Sequence, residues 1–222
     1  AFANDPERGV FILAILAVFI GGALTLYAAR AGALEAKGGF GVVSRESALV
    51  LNNVLLSVAA FVVFVGTLWP LIAEMAFARK LSVGAPFFNQ AFTPFMVLLA
   101  LLLPVGAILP WKRANIGRTL KHLSGALAIA AAMAALAFAV QTGRSALAPV
   151  GVALGTWLIA GAAAELWLRA GHRPARLARL PRADWGKAAA HSGFGVVFIG
   201  ISCLTAWDVE DIRVARVGES FD

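Results

Sequence analysis

The sequence predicts an all-α integral membrane protein, a bundle of about six transmembrane helices. Three observations predict it. Hydrophobic residues make up 60% of the 222 positions and charged residues only 14%, against roughly 45–50% and about 25% in soluble domains. Six stretches approach or exceed the length of about 20 apolar residues that crosses a bilayer core. The charges gather in short segments between those stretches. A water-soluble core cannot hide this much apolar surface, so lipid is the expected solvent. In lipid each stretch must be helical, because unpaired backbone groups are costly there.

Taken in order, the expected spans lie near 10–29, 47–73, 92–111, 123–142, 146–168 and 188–207. The first, Val10 to Ala29, carries no charge. The second, Ser47 to Ala73, is long enough to tilt or to reach past the lipid. An uncharged run then extends from Leu81 to Trp111. Its first part, Leu81 to Gln90, holds Gly84, Pro86 and Asn89 and reads as a loop, with the helix starting near Phe92. Pro94 suits a first helical turn, and Pro104 should kink the helix. The fourth span is alanine-rich, the fifth is interrupted only by Glu165, and the sixth ends at Trp207. Small-residue runs such as Gly125-Ala-Leu-Ala and Gly161-Ala-Ala-Ala predict close helix packing.

Residues 1–207 thus read as a transmembrane helical region and 208–222 as the start of a soluble segment. Within that segment, Ile212 to Val217 alternates apolar and polar residues, the pattern of a β-strand. Its five acids and two arginines set it apart from a chain whose net charge is +7. The initial Ala1 and this trailing strand pattern suggest a piece of something longer.

Basic residues give the bundle a direction. Arg30, Lys37, Arg45, Lys112, Arg113, Arg118, Lys121, Arg169, Arg173, Arg176, Arg179, Arg182 and Lys187 fall on one side. Arg8, Arg79, Lys80, Arg144, Arg213 and Arg216 fall on the other. The positive-inside rule puts the richer set in the cytoplasm and both chain ends outside. Trp69, Trp111, Trp167, Trp185 and Trp207 fall at the ends of the expected spans, where aromatic belts form. This placement explains the basic balance better than nucleic-acid binding, and no nucleic-acid partner is expected. Membrane lipid is.

Polar groups inside spans are the default functional candidates. The sharpest is His191, a turn inside the sixth span and four residues past Lys187, which is roughly 6 Å along a helix. Small residues surround it in Ala188-Ala-Ala-His-Ser-Gly-Phe-Gly. Three readings stand: an interhelical hydrogen bond, a metal or haem ligand, or a proton relay. Haem is preferred to zinc because no Cys, Asp, Glu or second His lies nearby at a ligand spacing.

The remaining polar residues have plainer readings. Asn52 and Asn53, at a similar depth, read as interhelical hydrogen-bonders, with the orienting of a ligand as the alternative. Glu165 is placed to pair with Arg169 at i+4. His122 and His172 read as ordinary interfacial histidines, and Cys203, the single cysteine, as a small core residue. The basic run from Arg169 to Lys187 is an orientation signal that also suits carboxylates or anionic headgroups.

No phosphate-binding GxxxxGK[ST] occurs: Gly186-Lys187 has Pro181 in place of the first glycine and Ala188 in place of Ser or Thr. No HExxH and no Ser-His-Asp arrangement is present. Nucleotide hydrolysis and proteolysis therefore have no support. A transporter, or a purely structural membrane subunit without bound haem, is the alternative to a haem protein. The low intramembrane polar content and the lack of an inverted repeat weigh against transport.

Several segments, in order, resemble the cytochrome c-type haem lyase family CcmF of bacterial system I cytochrome c maturation. They are Ala1-Phe-Ala-Asn-Asp-Pro-Glu-Arg-Gly, Val43-Ser-Arg-Glu-Ser, Asn52-Asn-Val-Leu-Leu and Gly66-Thr-Leu-Trp-Pro-Leu. Ser82-Val-Gly-Ala-Pro-Phe-Phe-Asn and Ala190-His-Ser-Gly-Phe-Gly-Val-Val-Phe-Ile-Gly-Ile follow. The resemblance implies a multi-pass protein of the bacterial inner membrane. It would receive haem from the chaperone CcmE and attach it to the CxxCH thiols of apocytochrome c, alongside CcmH/CcmI-type subunits.

The family carries a stable haem (heme) b in the membrane, held by two histidines, and a periplasmic site for the transient substrate haem, with two more histidines beside a tryptophan-rich segment. Of these four histidines the resemblance maps one onto this chain: His191, as one axial ligand of haem b. The second ligand, the tryptophan-rich segment and most of the periplasmic site are expected in the remaining part of the same lyase. No catalytic residue is assigned, and this chain alone is not expected to perform the reaction.

Overall fold

The computed structural model describes residues 6–34, 38–79, 81–142 and 147–207, and among these every regular element is a helix. The expected β-strand at 212–217 lies outside the described residues. Five helices are long and apolar enough to cross a membrane, or six if one bent pair counts as a single span. The chain divides into two units, residues 1–39 and 40–222.

The first unit is α1 (Pro6–Arg30) followed by a turn of 3₁₀ helix at Ala31–Leu34. The helix covers the expected uncharged span at 10–29 and adds about a turn at the front.

The second unit contains α2 (Arg45–Phe77), α3 (Ala85–Ala91), α4 (Thr93–Ile108), α5 (Ile116–Val140), α6 (Leu147–Arg169), α7 (Pro174–Leu177) and α8 (Arg182–Trp207). Helix α6 is central, packing on α4, α5 and α8, and α2 packs on α4. Its burial follows from its sequence. Gly155 meets Gly195 of α8 so closely that an added Cβ would lie 2.5 Å from the Gly195 carbonyl oxygen. On another side Gly161 admits Pro104 of α4, 2.5 Å from where its Cβ would stand. Trp157, 7% exposed, donates its indole N–H to the Leu101 carbonyl at 3.1 Å, which fixes α6 against α4. Of the two small-residue runs, the one at Gly161 serves packing within the chain, whereas Gly125 on α5 has no side-chain or tertiary neighbour within 4 Å among the described residues.

Several boundaries differ from expectation. Residues 85–91, read as a loop, form the short helix α3. Gly84 precedes it and Pro86 sits in its first turn, a position where a missing N–H costs nothing. Helices α3 and α4 meet at Phe92 with a bend of 42°, so the break lies ahead of Pro94. Helix α4 continues through the buried Pro104. Helix α2 runs four residues beyond 73, which places Trp69 two turns inside its end. Helix α5 starts at Ile116, seven residues before the expected span, because Asn115 caps it by accepting the Arg118 N–H at 3.1 Å. Helix α8 starts at Arg182, six residues early, so Lys187 is helical and His191 stands roughly 13 Å along the axis from the first residue.

Polar contacts define the two ends of the unit. At one end the Arg45 N–H donates to the Pro110 carbonyl (3.0 Å) and the Lys112 N–H donates to Glu46 Oε2 (2.8 Å). At the same end Arg169 pairs with Asp184 (3.0 Å). At the other end Trp207 Nε1 donates to the Val140 carbonyl (3.3 Å) and Thr142 to the Ala206 carbonyl (3.4 Å). Lys112, Arg113, Arg118, Lys121 and the basic residues from Arg169 to Lys187 therefore share the first end with Arg45.

Candidate functional site

Three of the sequence segments quoted above converge on one cavity. It holds about 200 Å³ and lies between α2, α4 and α8 near the basic end. Arg45 and Asn52 come from α2, Lys187 and His191 from α8, and Leu99, Leu102, Leu103 and Gly106 of α4 form the apolar floor.

Local chemistry positions each side chain. Ser44, fully buried, caps α2 by accepting the Ser47 N–H at 3.2 Å, and the Ser47 hydroxyl donates to the Gly41 carbonyl at 3.0 Å. This fixes the first turn, where Arg45 lies over the Trp111 ring at 5.2 Å, within cation–π range. Asn52, two turns on, shares the face of Arg45. On α8, Lys187 and His191 are four residues apart and so share a face as well. The imidazole is half-buried and has no hydrogen-bond partner among the described residues.

Beside the cavity is an ionic cluster. Glu165 of α6 is 3% exposed. Its Oε1 accepts from both Arg169 Nε, at 3.0 Å, and Lys187 Nζ. Arg169 also reaches Asp184. The other carboxylate oxygen of Glu165 has no hydrogen-bond partner among the described residues.

The expected site residues fare differently. His191 faces the cavity, while none of the small residues beside it lines that cavity; Gly193 is open and Gly195 is spent on the α6 contact. The Glu165–Arg169 pair forms. Among the described residues Asn52 and Asn53 make no interhelical hydrogen bond: the Asn52 amide donates to Asn53 within α2 at 3.4 Å, because successive residues on one helix lie close enough for it. His172 packs edge-on to Trp167 with ring centres 6.1 Å apart. His122 lines a second cavity. Cys203 is half-buried rather than part of the core.

Sequence reasoning missed Arg45 as a cavity residue, and it singled out Lys187 only as part of the basic run that suits carboxylates. The signal for Lys187 was available in the lone acid of α6, Glu165, which needs a cation. The sequence does not say which cation crosses from another helix. Among the described residues no three His, Cys, Asp or Glu side chains stand close enough to hold a metal ion together.

Two other quoted segments also meet. Gly66 of α2 lies against the rings of Phe87 and Phe88, 2.7 Å and 2.8 Å from where a Cβ would be. Those rings stack edge to face at 5.3 Å.

Fold and site together define a multi-pass helical membrane protein with a single histidine in a cavity flanked by basic side chains. No protein-family model matches the chain, and no solved structure does. It is 64% identical over its whole length to the cytochrome c-type biogenesis protein ccl1 of Rhodobacter capsulatus, of which that covers 34%. It is 48% identical to CycK of Bradyrhizobium diazoefficiens, over 97% of this chain and 34% of the relative. It is 38% identical to CcmF of Escherichia coli, over all of this chain and 34% of the relative. Over the region it spans, about a third of these relatives' length, the chain belongs to the cytochrome c-type biogenesis family that includes CcmF and CycK.

Proposed function

We propose that this chain acts in cytochrome c maturation as part of an inner-membrane haem lyase, and that His191 supplies one axial ligand of a haem b within the membrane. The observation that carries the reading is the convergence of Arg45, Asn52 and His191 on one cavity from separate segments of the chain.

The donor set suits the group. An imidazole without a partner is free to bind iron. The leucines of α4 offer an apolar surface to a flat ring. Arg45, which has no carboxylate partner among the described residues, and Lys187 are placed for carboxylate substituents. The cavity's 200 Å³ is below the 300–1,000 Å³ of sites that enclose a ligand, so this chain would form one wall of the site. The second axial ligand would come from outside it.

Bis-histidine haem supplies one-electron redox chemistry when bound. The chain's own part is positional. The Lys187–Glu165 pair holds α8 in register on α6, which aims His191 at the cavity. The leucine floor would offer an apolar face to the ring, and Arg45 would hold a carboxylate substituent. In this reading the basic end faces the cytoplasm and both ends of the chain face the periplasm. The substrate haem from the chaperone CcmE, apocytochrome c and the CcmH/CcmI-type subunits would be met elsewhere on the complete protein.

The test is the optical spectrum of the purified full-length protein. A low-spin, six-coordinate spectrum is expected, and His191→Ala should abolish or change it. A His191→Ala protein that keeps the full haem content and an unaltered spectrum would sink the ligand assignment. A colourless wild type would favour a structural subunit or transporter.

A further inference from the structure

A second cavity, of about 340 Å³, lies between the α4–α5 connection, the first turns of α5 and the end of α6. Arg113, Arg118 and His122 line it, closed by Thr119 and Leu168. None of its lining residues is acidic. None of the three basic side chains has an ion-pair or hydrogen-bond partner among the described residues. The nearby acid, Glu46, is already engaged: it accepts the Lys112 N–H at 2.8 Å and faces the Lys112 ammonium at 3.8 Å. Uncompensated positive charge gathered around a concavity favours an anion.

The backbone that carries this charge is fixed. The Gly41 N–H donates to the Lys112 carbonyl (2.7 Å), the Ala114 N–H to the Val43 carbonyl (2.8 Å) and the Arg45 N–H to the Pro110 carbonyl (3.0 Å). Arg113 is therefore held beside the start of α5 rather than carried on a free loop. Arg118 and His122 are four apart on α5 and share a face. The positive end of the α5 dipole adds to the field of the two arginines.

The location selects among anions. Trp111, 58% exposed in the same connection, is a residue type that sits at headgroup level. Helix α5 beyond it turns large apolar side chains outward, Leu127 and Phe138 among them. Arginine's planar fork matches phosphate oxygens in pairs.

We propose that this cavity binds a phosphate group, supplied in the membrane by an anionic phospholipid headgroup. The site is separate from the His191 cavity, and its test does not depend on haem. Full-length protein in detergent is titrated with dihexanoyl phosphatidylglycerol and, in parallel, with inorganic phosphate. Binding is read from the thermal unfolding midpoint, and copurified lipid from native mass spectrometry.

Phosphatidylglycerol should bind saturably. Arg113→Gln with Arg118→Gln should weaken it about thirtyfold while leaving the unliganded midpoint unchanged. If the double variant is unstable, the single exposed change Arg118→Gln replaces it, and a smaller loss is expected. Equal binding of inorganic phosphate, lost in the same variants, supports the site and makes the free ion its occupant. Binding of both ligands unaffected by the substitutions, or no saturable binding of either, overturns the proposal.

Discussion

Lys187 of α8 pairs with the buried carboxylate of Glu165 on α6, one helical turn before His191. The pair does two things. It fixes the axial register of α8 on the central helix, and it brings a cation to the wall of the cavity that His191 faces. Because Glu165 is 3% exposed, its charge depends on Lys187 and Arg169 for compensation.

Removing Lys187 should therefore cost far more than removing an exposed partner. Lys187→Met leaves Glu165 with Arg169 alone, and losing one partner of a buried carboxylate costs about 1–3 kcal/mol. Lys112→Met breaks a pair whose lysine side chain is 63% exposed and 3.8 Å from Glu46, a class worth about 0–1 kcal/mol. Unfolding midpoints in detergent should fall clearly for the first and barely for the second. Equal shifts would show that Glu165 does not rely on α8.

The α6–α8 contact makes a steric prediction. Gly155→Ala would place a methyl group 2.5 Å from the Gly195 carbonyl oxygen and 2.6 Å from Ile199 Cγ1. The helices must part, at about 1–3 kcal/mol for overpacking. Gly125→Ala on α5 meets nothing within 4 Å among the described residues and should be neutral or slightly stabilising. A Gly155→Ala protein as stable as wild type would mean that α6 and α8 lie further apart.

Much of this was legible in the sequence, for physical reasons. Span count follows from length and hydropathy, and the Glu165–Arg169 pair follows from a spacing of four on one helix. Three things were not legible. The start of α8 was misplaced because charged residues such as Arg182 and Asp184 are as helical as alanines, and hydropathy reads lipid rather than backbone. Helix α3 was hidden by Gly84 and Pro86, which mark a helix start as well as a loop. The company His191 keeps depends on which faces of α2, α4 and α8 turn toward one another, and no single helix encodes that.

Within the haem reading, Arg45 and His191 should separate by phenotype. Arg45 is placed toward carboxylate substituents and His191 toward iron, so Arg45→Gln should keep the form of the low-spin spectrum while the haem is lost more readily on dilution or to a competing haem acceptor. His191→Ala should alter the spectrum itself. Losing one charge-assisted hydrogen bond costs about 1.5–3 kcal/mol, so retention should drop about tenfold or more. An Arg45→Gln protein that holds haem as tightly as wild type would remove Arg45 from the site while leaving His191 untouched.

The sidedness of the bundle has a direct test. Arg79 follows α2 at the sparsely charged end, whereas Ala178 lies between α7 and α8 at the basic end, and both are exposed. In intact cells carrying an otherwise cysteine-free protein, a membrane-impermeant maleimide should label Arg79→Cys from outside. Ala178→Cys should be labelled only after the membrane is opened. The physical ground is the cost of moving the run from Arg169 to Lys187 across the bilayer during insertion, against the two basic residues, Arg79 and Lys80, that follow α2. Ala178→Cys labelled in intact cells would invert the bundle. His191, nearer the basic end, would then lie toward the periplasm, and the separation between a membrane haem b and a periplasmic substrate site would lose its basis.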